Sequence, residues 1–268
     1  MLIMGFPQFE TQDDLGTGKG IPPTPEWQWD PTDPADNLPQ PRTLGIDCAV
    51  SNAFARLRNI GLRTRRTQLP NIRLHDLTSF VIHRLLPTPL ELSSAPSTPI
   101  TECIRNAIIL YMFILNGPTY YSHAVILDTV VRRFVGNLED LGTISRMRNT
   151  LGVWFISIGM VASAGSPHYQ WFAEKAQALV ESLELTAGDD ALSRIKDVIW
   201  IDTAQADSVF RPHWDAVCSS CSRFGPPGVE RHGPSNVMSA GLVKKVQDIP
   251  LWQTTDQSCM GFVGANGV

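Results

Sequence analysis

Apolar residues return every three or four positions through the middle of the chain, from about residue 43 to residue 221. This spacing places them on one face of an α-helix, and polar residues, glycines or prolines interrupt each stripe. The successive stripes are Ala49, Ala53, Leu57 and Ile60; Leu74, Leu77, Val81 and Leu85; Ile104, Ala107, Ile108, Tyr111 and Leu115; Leu127, Val130, Val131, Phe134 and Leu138; Phe172, Ala176, Leu179 and Leu183; and Leu192, Ile195 and Ile199. Neither a sustained strand alternation nor a repeat of fixed period is present. The pattern predicts an all-α fold, an irregular antiparallel bundle of about seven or eight helices.

Short polar sequences between the stripes predict where helices begin. Thr98 before Pro99 and Ser166 before Pro167 are good helix starts, because a hydroxyl accepts hydrogen bonds from unpaired N–H groups and proline fits the first turn. Asp189 is placed to cap the helix that follows it. Residues 151–165 are apolar all round but shorter than the roughly 18 residues that span a bilayer, so we expect a fully buried helix and no membrane association.

Both ends of the chain have compositions that oppose regular structure. Residues 1–42 are rich in proline, and residues 222–268 combine a glycine and proline cluster with a glycine-rich end. We therefore predict disordered tails on either side of a helical domain at 43–221. Trp27 and Trp29 lie in the first tail, where they could dock on the body, dock on a partner or stay exposed; the sequence leaves these alternatives open.

Composition and charge narrow the classes of function. The chain is 43% apolar and 18% charged, and its formal net charge of −4 gives no general reason to expect binding to nucleic acid or acidic lipid. Five irregularly spaced cysteines and no apolar signal segment lead us to expect free thiols in a reducing compartment. One segment is basic and carries Arg56, Arg58, Arg63, Arg65 and Arg66, with Arg73 beyond them. It is either an anion-contact patch or a solvated helix end and loop, the commoner arrangement.

The stretch IWIDTAQADSVFRPHWDAV, residues 199–217, is the strongest candidate for chemistry because it combines carboxylates, a histidine and tryptophans. The rest of the chain supplies no clear nucleophile, metal set or partner carboxylate, so we expect packing instead. The residues expected to point inward are Trp200, Phe210 and Trp214. The carboxylates expected to cap or solvate helix ends are Asp202, Asp207 as an N-cap, and Asp215 in a turn after Pro212.

Two further patterns resemble known sites without matching them. Cys218 and Cys221 form a C-x-x-C pair, but the remaining histidines and cysteines complete no zinc module and no βαβ context favours a redox site. We interpret the pair as two small residues at a helix end. The sequence GTGKG at 16–20 lacks the spacing and the preceding strand of a phosphate-binding loop. These patterns lead us to predict no cofactor, no metal and no enzymatic activity.

Several motifs occur in a characteristic order along the central region. ECIRNAIILYMFIL is followed by LGVWFISIGMVAS, then SPHYQWFAEKAQAL, then IKDVIWIDTAQADSVFRPHWDAV. This order resembles the fungal-specific transcription factor domain, the all-helical C-terminal region of fungal zinc-cluster regulators. The resemblance covers roughly residues 44–220 and rests on apolar motifs that report packing. The residues that carry it are Glu102, Arg105, Trp154, Gly159, Trp171, Phe172, Trp200, Phe210 and Trp214.

The resemblance implies a regulatory helical domain in the nucleus that responds to a partner or ligand. Expected partners are the transcriptional machinery or a relative that bears a zinc cluster. Family members usually carry an N-terminal six-cysteine zinc cluster, whereas Cys48 is the only cysteine in the first hundred residues here. We therefore expect no direct sequence-specific DNA binding, because arginine contacts to phosphate specify no sequence. The chain is either a cluster-free relative or part of a longer protein.

Two other functions remain as alternatives. A cytoplasmic or nuclear scaffold would use Trp27 and Trp29 as anchors for a partner. An enzyme would need His168, Asp202 and His213 to converge in one pocket, whereas burial of Trp154, Trp171, Trp200 and Trp214 in one core would favour a packing role.

Overall fold

The computed structural model describes residues 21–28, 45–65, 68–86, 97–116, 123–142, 150–203 and 206–222. These residues form eight α-helices and one short 3₁₀ turn at Pro25–Gln28, with no β-strand among them. The helices are α1, Cys48–Thr64; α2, Asn71–Leu85; α3, Pro99–Asn116; α4, His123–Asp140; α5, Thr150–Ala162; α6, Tyr169–Leu183; α7, Gly188–Val198; and α8, Ala206–Ser222. The predicted all-α bundle is therefore confirmed, while the predicted tails, apart from 21–28 and Ser222, lie outside the described residues.

Two of the predicted helix starts can be compared with the observed ones. Helix α3 begins at Pro99 as expected, and the Thr98 hydroxyl accepts a hydrogen bond from the Thr101 N–H at 3.4 Å. Helix α6 begins at Tyr169, two residues after the predicted Ser166–Pro167 start. Ser166 instead forms a turn, in which its carbonyl accepts from the Tyr169 N–H at 3.2 Å. The sequence signal therefore marks the turn that precedes α6.

The capping role predicted for Asp189 belongs to its neighbour. The Asp190 carboxylate accepts hydrogen bonds from the Thr186 N–H at 2.8 Å, the Thr186 hydroxyl at 2.7 Å and the Ala187 N–H at 3.2 Å. These bonds hold the pKa of Asp190 below its usual range. Asp189 forms an ion pair with Arg211 of α8 at 2.6 Å. The prediction for Asp189 is wrong because α7 begins at Gly188, which places Asp190 at the third helical position.

Helix α5 lies at the centre of the bundle and packs against α3, α4, α6, α7 and α8. Its residues from Gly152 to Val161 are all buried, which confirms the predicted fully buried helix. No helix in the described part of the chain combines the length and the apolar character that crossing a membrane requires.

A close approach of α5 and α6 depends on a glycine. A Cβ atom placed on Gly159 would lie 1.9 Å from Cε1 of Phe172 and 2.2 Å from its Cδ1, so only glycine admits the ring at this distance. The Phe172 ring stacks on Phe134 of α4 at a centroid distance of 5.9 Å. Gly159 therefore allows one aromatic side chain to join three helices.

Candidate functional site

Trp27 is buried against the helical body, although it lies in a segment predicted to be an unfolded tail. Its side chain is only 6% exposed and meets Phe80 of α2 edge to face, with ring centroids 5.2 Å apart. The Trp27 N–H donates to the Thr24 carbonyl at 3.0 Å, which closes the 3₁₀ turn. For residues 21–28 the disordered-tail prediction is wrong, because contacts with distant residues order a segment that its own composition does not.

Two arginines hold this segment from the body side. One guanidinium nitrogen of Arg73 reaches both carboxylate oxygens of Glu26, at 2.8 and 3.0 Å. The Arg56 guanidinium lies 5.6 Å from the Trp27 ring centroid, over its face, and also donates to the Trp27 carbonyl oxygen. We call Arg56, Arg73 and Phe80 the Trp27 site. It recognises a carboxylate, an indole ring and the backbone carbonyl of the indole-bearing residue.

The arginines of the predicted anion-contact patch have different surroundings in the structure. Arg56 serves the Trp27 site, while Arg65 donates to the Lys196 carbonyl at the end of α7 at 3.2 Å. Arg58 is partly buried, Arg63 is exposed, and Arg66 lies outside the described residues. Arg73 follows Arg56 by seventeen residues in the sequence. Both arginines contact the segment of residues 26–27. Binding of an external anion by this patch stays a prediction.

The tryptophans of the 199–217 stretch are part of the core. Trp200 is 4% exposed, and Phe210 and Trp214 are fully buried. The indole N–H of Trp214 donates to the Ser157 hydroxyl at 2.9 Å, and that hydroxyl donates to the Val153 carbonyl at 2.6 Å. The ring of Trp200 packs on Phe210 at a centroid distance of 5.7 Å. The expected inward packing of these three residues is confirmed.

Two of the three carboxylates of the stretch, Asp207 and Asp215, join α8 to α7. Asp215 accepts a hydrogen bond from the Gly188 N–H, the first of α7, at 3.1 Å. Asp207 forms an ion pair with Lys196 at 2.9 Å, and it lies inside the first turn of α8, so it is not the predicted N-cap. The predicted turn after Pro212 is also wrong, because α8 begins at Ala206 and continues through the proline. Asp215 therefore lies on a helix.

The three residues of the enzyme alternative have different neighbours in the described structure. His168 approaches Asp128 of α4, with Nε2 and the carboxylate oxygen 3.6 Å apart. His213 shares a hydrogen bond with the Tyr169 hydroxyl at 3.2 Å, and burial lowers the pKa of His213 to about 4. Asp202 lies near Tyr111, whose hydroxyl accepts a bond from the Ile201 N–H at 2.8 Å. His168 and His213 therefore contact different partners, Asp128 and Tyr169.

The residues that carry the family resemblance mostly serve packing. Glu102 and Arg105 form an ion pair along α3 at 3.2 Å, and Arg105 also donates to the Leu85 carbonyl at the end of α2. Trp154 and Trp214 are fully buried, and Trp171 packs against the outside of the same core. Three of the four tryptophans named above, Trp154, Trp200 and Trp214, are therefore buried in one core, and Trp171 is partly buried against it.

Cys218 and Cys221 lie one turn apart on the last part of α8. Burial, with a smaller contribution from the charge of Cys221, raises the pKa of the Cys218 thiol to about 11. Burial also raises the pKa of Cys221. Both thiols are therefore protonated at neutral pH and poor nucleophiles. Within the described residues, no group of three or more histidine, cysteine, aspartate or glutamate side chains is placed to hold a metal ion.

Sequence reasoning missed two structural roles. The Trp27 site depends on Arg73 and Phe80, which follow Trp27 by more than forty residues. The Tyr111 hydroxyl supports the connection after α7 across ninety positions. The only local signal is the adjacent pair Glu26–Trp27 within a proline-rich stretch, which combines a charge with an aromatic ring.

Comparisons with family models, with curated proteins and with solved structures found no match to this chain. The fungal transcription factor resemblance therefore rests on the motif residues alone.

Proposed function

We propose that the helical body is the regulatory module of a transcriptional-regulator-like protein that acts in the nucleus through partners or a ligand. The observation that carries this proposal is the structural role of the 199–217 stretch. Its tryptophans, its histidine and Asp215 contact Phe210, Ser157, Tyr169 and Gly188, and so contribute to packing and to helix junctions. This use of the most reactive-looking segment supports a non-catalytic role.

The arrangement of the arginines supports action through proteins rather than through direct DNA reading. Arg56 and Arg73 contact residues of the chain itself, and Arg65 binds a main-chain carbonyl. Arginine contacts to phosphate would in any case carry no base information. We therefore propose that promoter choice comes from a zinc-cluster-bearing relative or another partner.

A promoter-tethering experiment tests the proposal. The full chain is fused to a heterologous DNA-binding domain in yeast, and reporter output is compared with that of the DNA-binding domain alone. We expect a reproducible change, which Trp214→Ala abolishes because it removes a fully buried ring from the core. The conservative surface variant Arg63→Lys is the matched control and should retain the change.

Two outcomes would contradict the proposal. An unchanged reporter, together with stable partner binding by the full chain, would indicate the scaffold alternative. Tight, sequence-selective binding of the chain alone to DNA, measured by anisotropy across a range of salt concentrations, would contradict the absence of direct readout.

A further inference from the structure

We draw no further inference here: the strongest candidate, the thiol pair of Cys218 and Cys221 on the last part of α8, carries nothing, because burial keeps both thiols protonated and the described residues include no third histidine, cysteine, aspartate or glutamate side chain placed with them to hold a metal ion.

Discussion

Trp200 and Asp202 lie two residues apart, but they differ in how much surface and how many contacts they contribute. The Trp200 ring packs on Phe210, and the Lys196 ammonium lies 5.0 Å from its centroid. We expect Trp200→Ala to lower the free energy of unfolding by roughly 3–5 kcal/mol, whereas Asp202→Asn should change it by less than about 0.5 kcal/mol. Urea unfolding followed by circular dichroism measures both. A large loss from the aspartate variant and none from the tryptophan variant would contradict the packing role of the stretch.

His213 should make the stability depend on pH in a defined window. Burial lowers its pKa from 6.5 to about 4, so between these values the unfolded chain binds a proton that the folded chain does not. The stability that the neutral His213 side chain contributes is therefore fully present above pH 6.5. It falls as the pH decreases and levels off below about pH 4. Across this pH window the free energy of unfolding should fall by about 3 kcal/mol.

Unfolding in urea at several pH values, compared with His213→Gln, measures this dependence. The difference between wild type and variant should shrink as the pH falls through the window. His75→Gln is the control substitution, because His75 is exposed on α2. An identical slope in wild type and His213→Gln would contradict the prediction.

At the scale of single residues, the sequence predicted which side chains face inward, but it did not predict the partners of polar side chains. Burial of Phe210 and Trp214 follows from helical spacing within a few residues. The bond from Gly188 to Asp215 joins residues twenty-seven positions apart, and its existence depends on how α7 and α8 cross. A capping propensity identifies aspartate as useful near a helix start without specifying which helix it will serve.

At the scale of helices, the contact of α5 with α6 can be tested at one glycine. Alanine is favoured over glycine within a helix by up to about 1 kcal/mol, so a clash must exceed that preference to destabilise the protein. At Gly159 the added carbon would lie 1.9 Å from the Phe172 ring, so we expect a net loss of about 1–3 kcal/mol.

Gly136 of α4 is the matched control, because a Cβ there would meet nothing within 4 Å. Gly136→Ala should therefore stabilise the protein by about 0.5–1 kcal/mol. Thermal unfolding of both variants measures the difference. If Gly159→Ala were neutral, or if the two variants changed stability equally, the close approach of α5 and α6 would not require glycine at position 159.

Most helices were predictable because their apolar stripes are local, but their ends were less so. Pro212 was predicted to form a turn, since proline within a helix removes a backbone hydrogen bond. The observed α8 continues through it, with Phe210 and Trp214 buried on either side. Burial of these two large rings offsets the local penalty. That burial depends on distant partners, Tyr111 for Phe210 and Ser157 for Trp214, which the sequence around Pro212 does not reveal.

At the scale of the whole molecule, the apolar side chains of all eight helices form one continuous cluster, to which Trp27 belongs. The all-α fold was predictable because each helix carries its own stripe. The Trp27 site was not, because it needs Arg56 and Phe80 on two different helices to come together. Local composition around Trp27 indicates only that the segment cannot form a helix by itself.

A double-mutant cycle tests whether residues 21–28 dock as a unit on a body that folds without them. Trp27→Ala should then lower the unfolding free energy by less than the roughly 3–5 kcal/mol of a core tryptophan, because the segment can leave and only its docking energy is lost. Arg73→Ala should destabilise the wild type but have almost no further effect once Trp27 is replaced, because its Glu26 partner has left. The resulting coupling energy should lie within about 0.5–3 kcal/mol. Additive losses would instead mean that Arg73 stabilises the body independently of the segment.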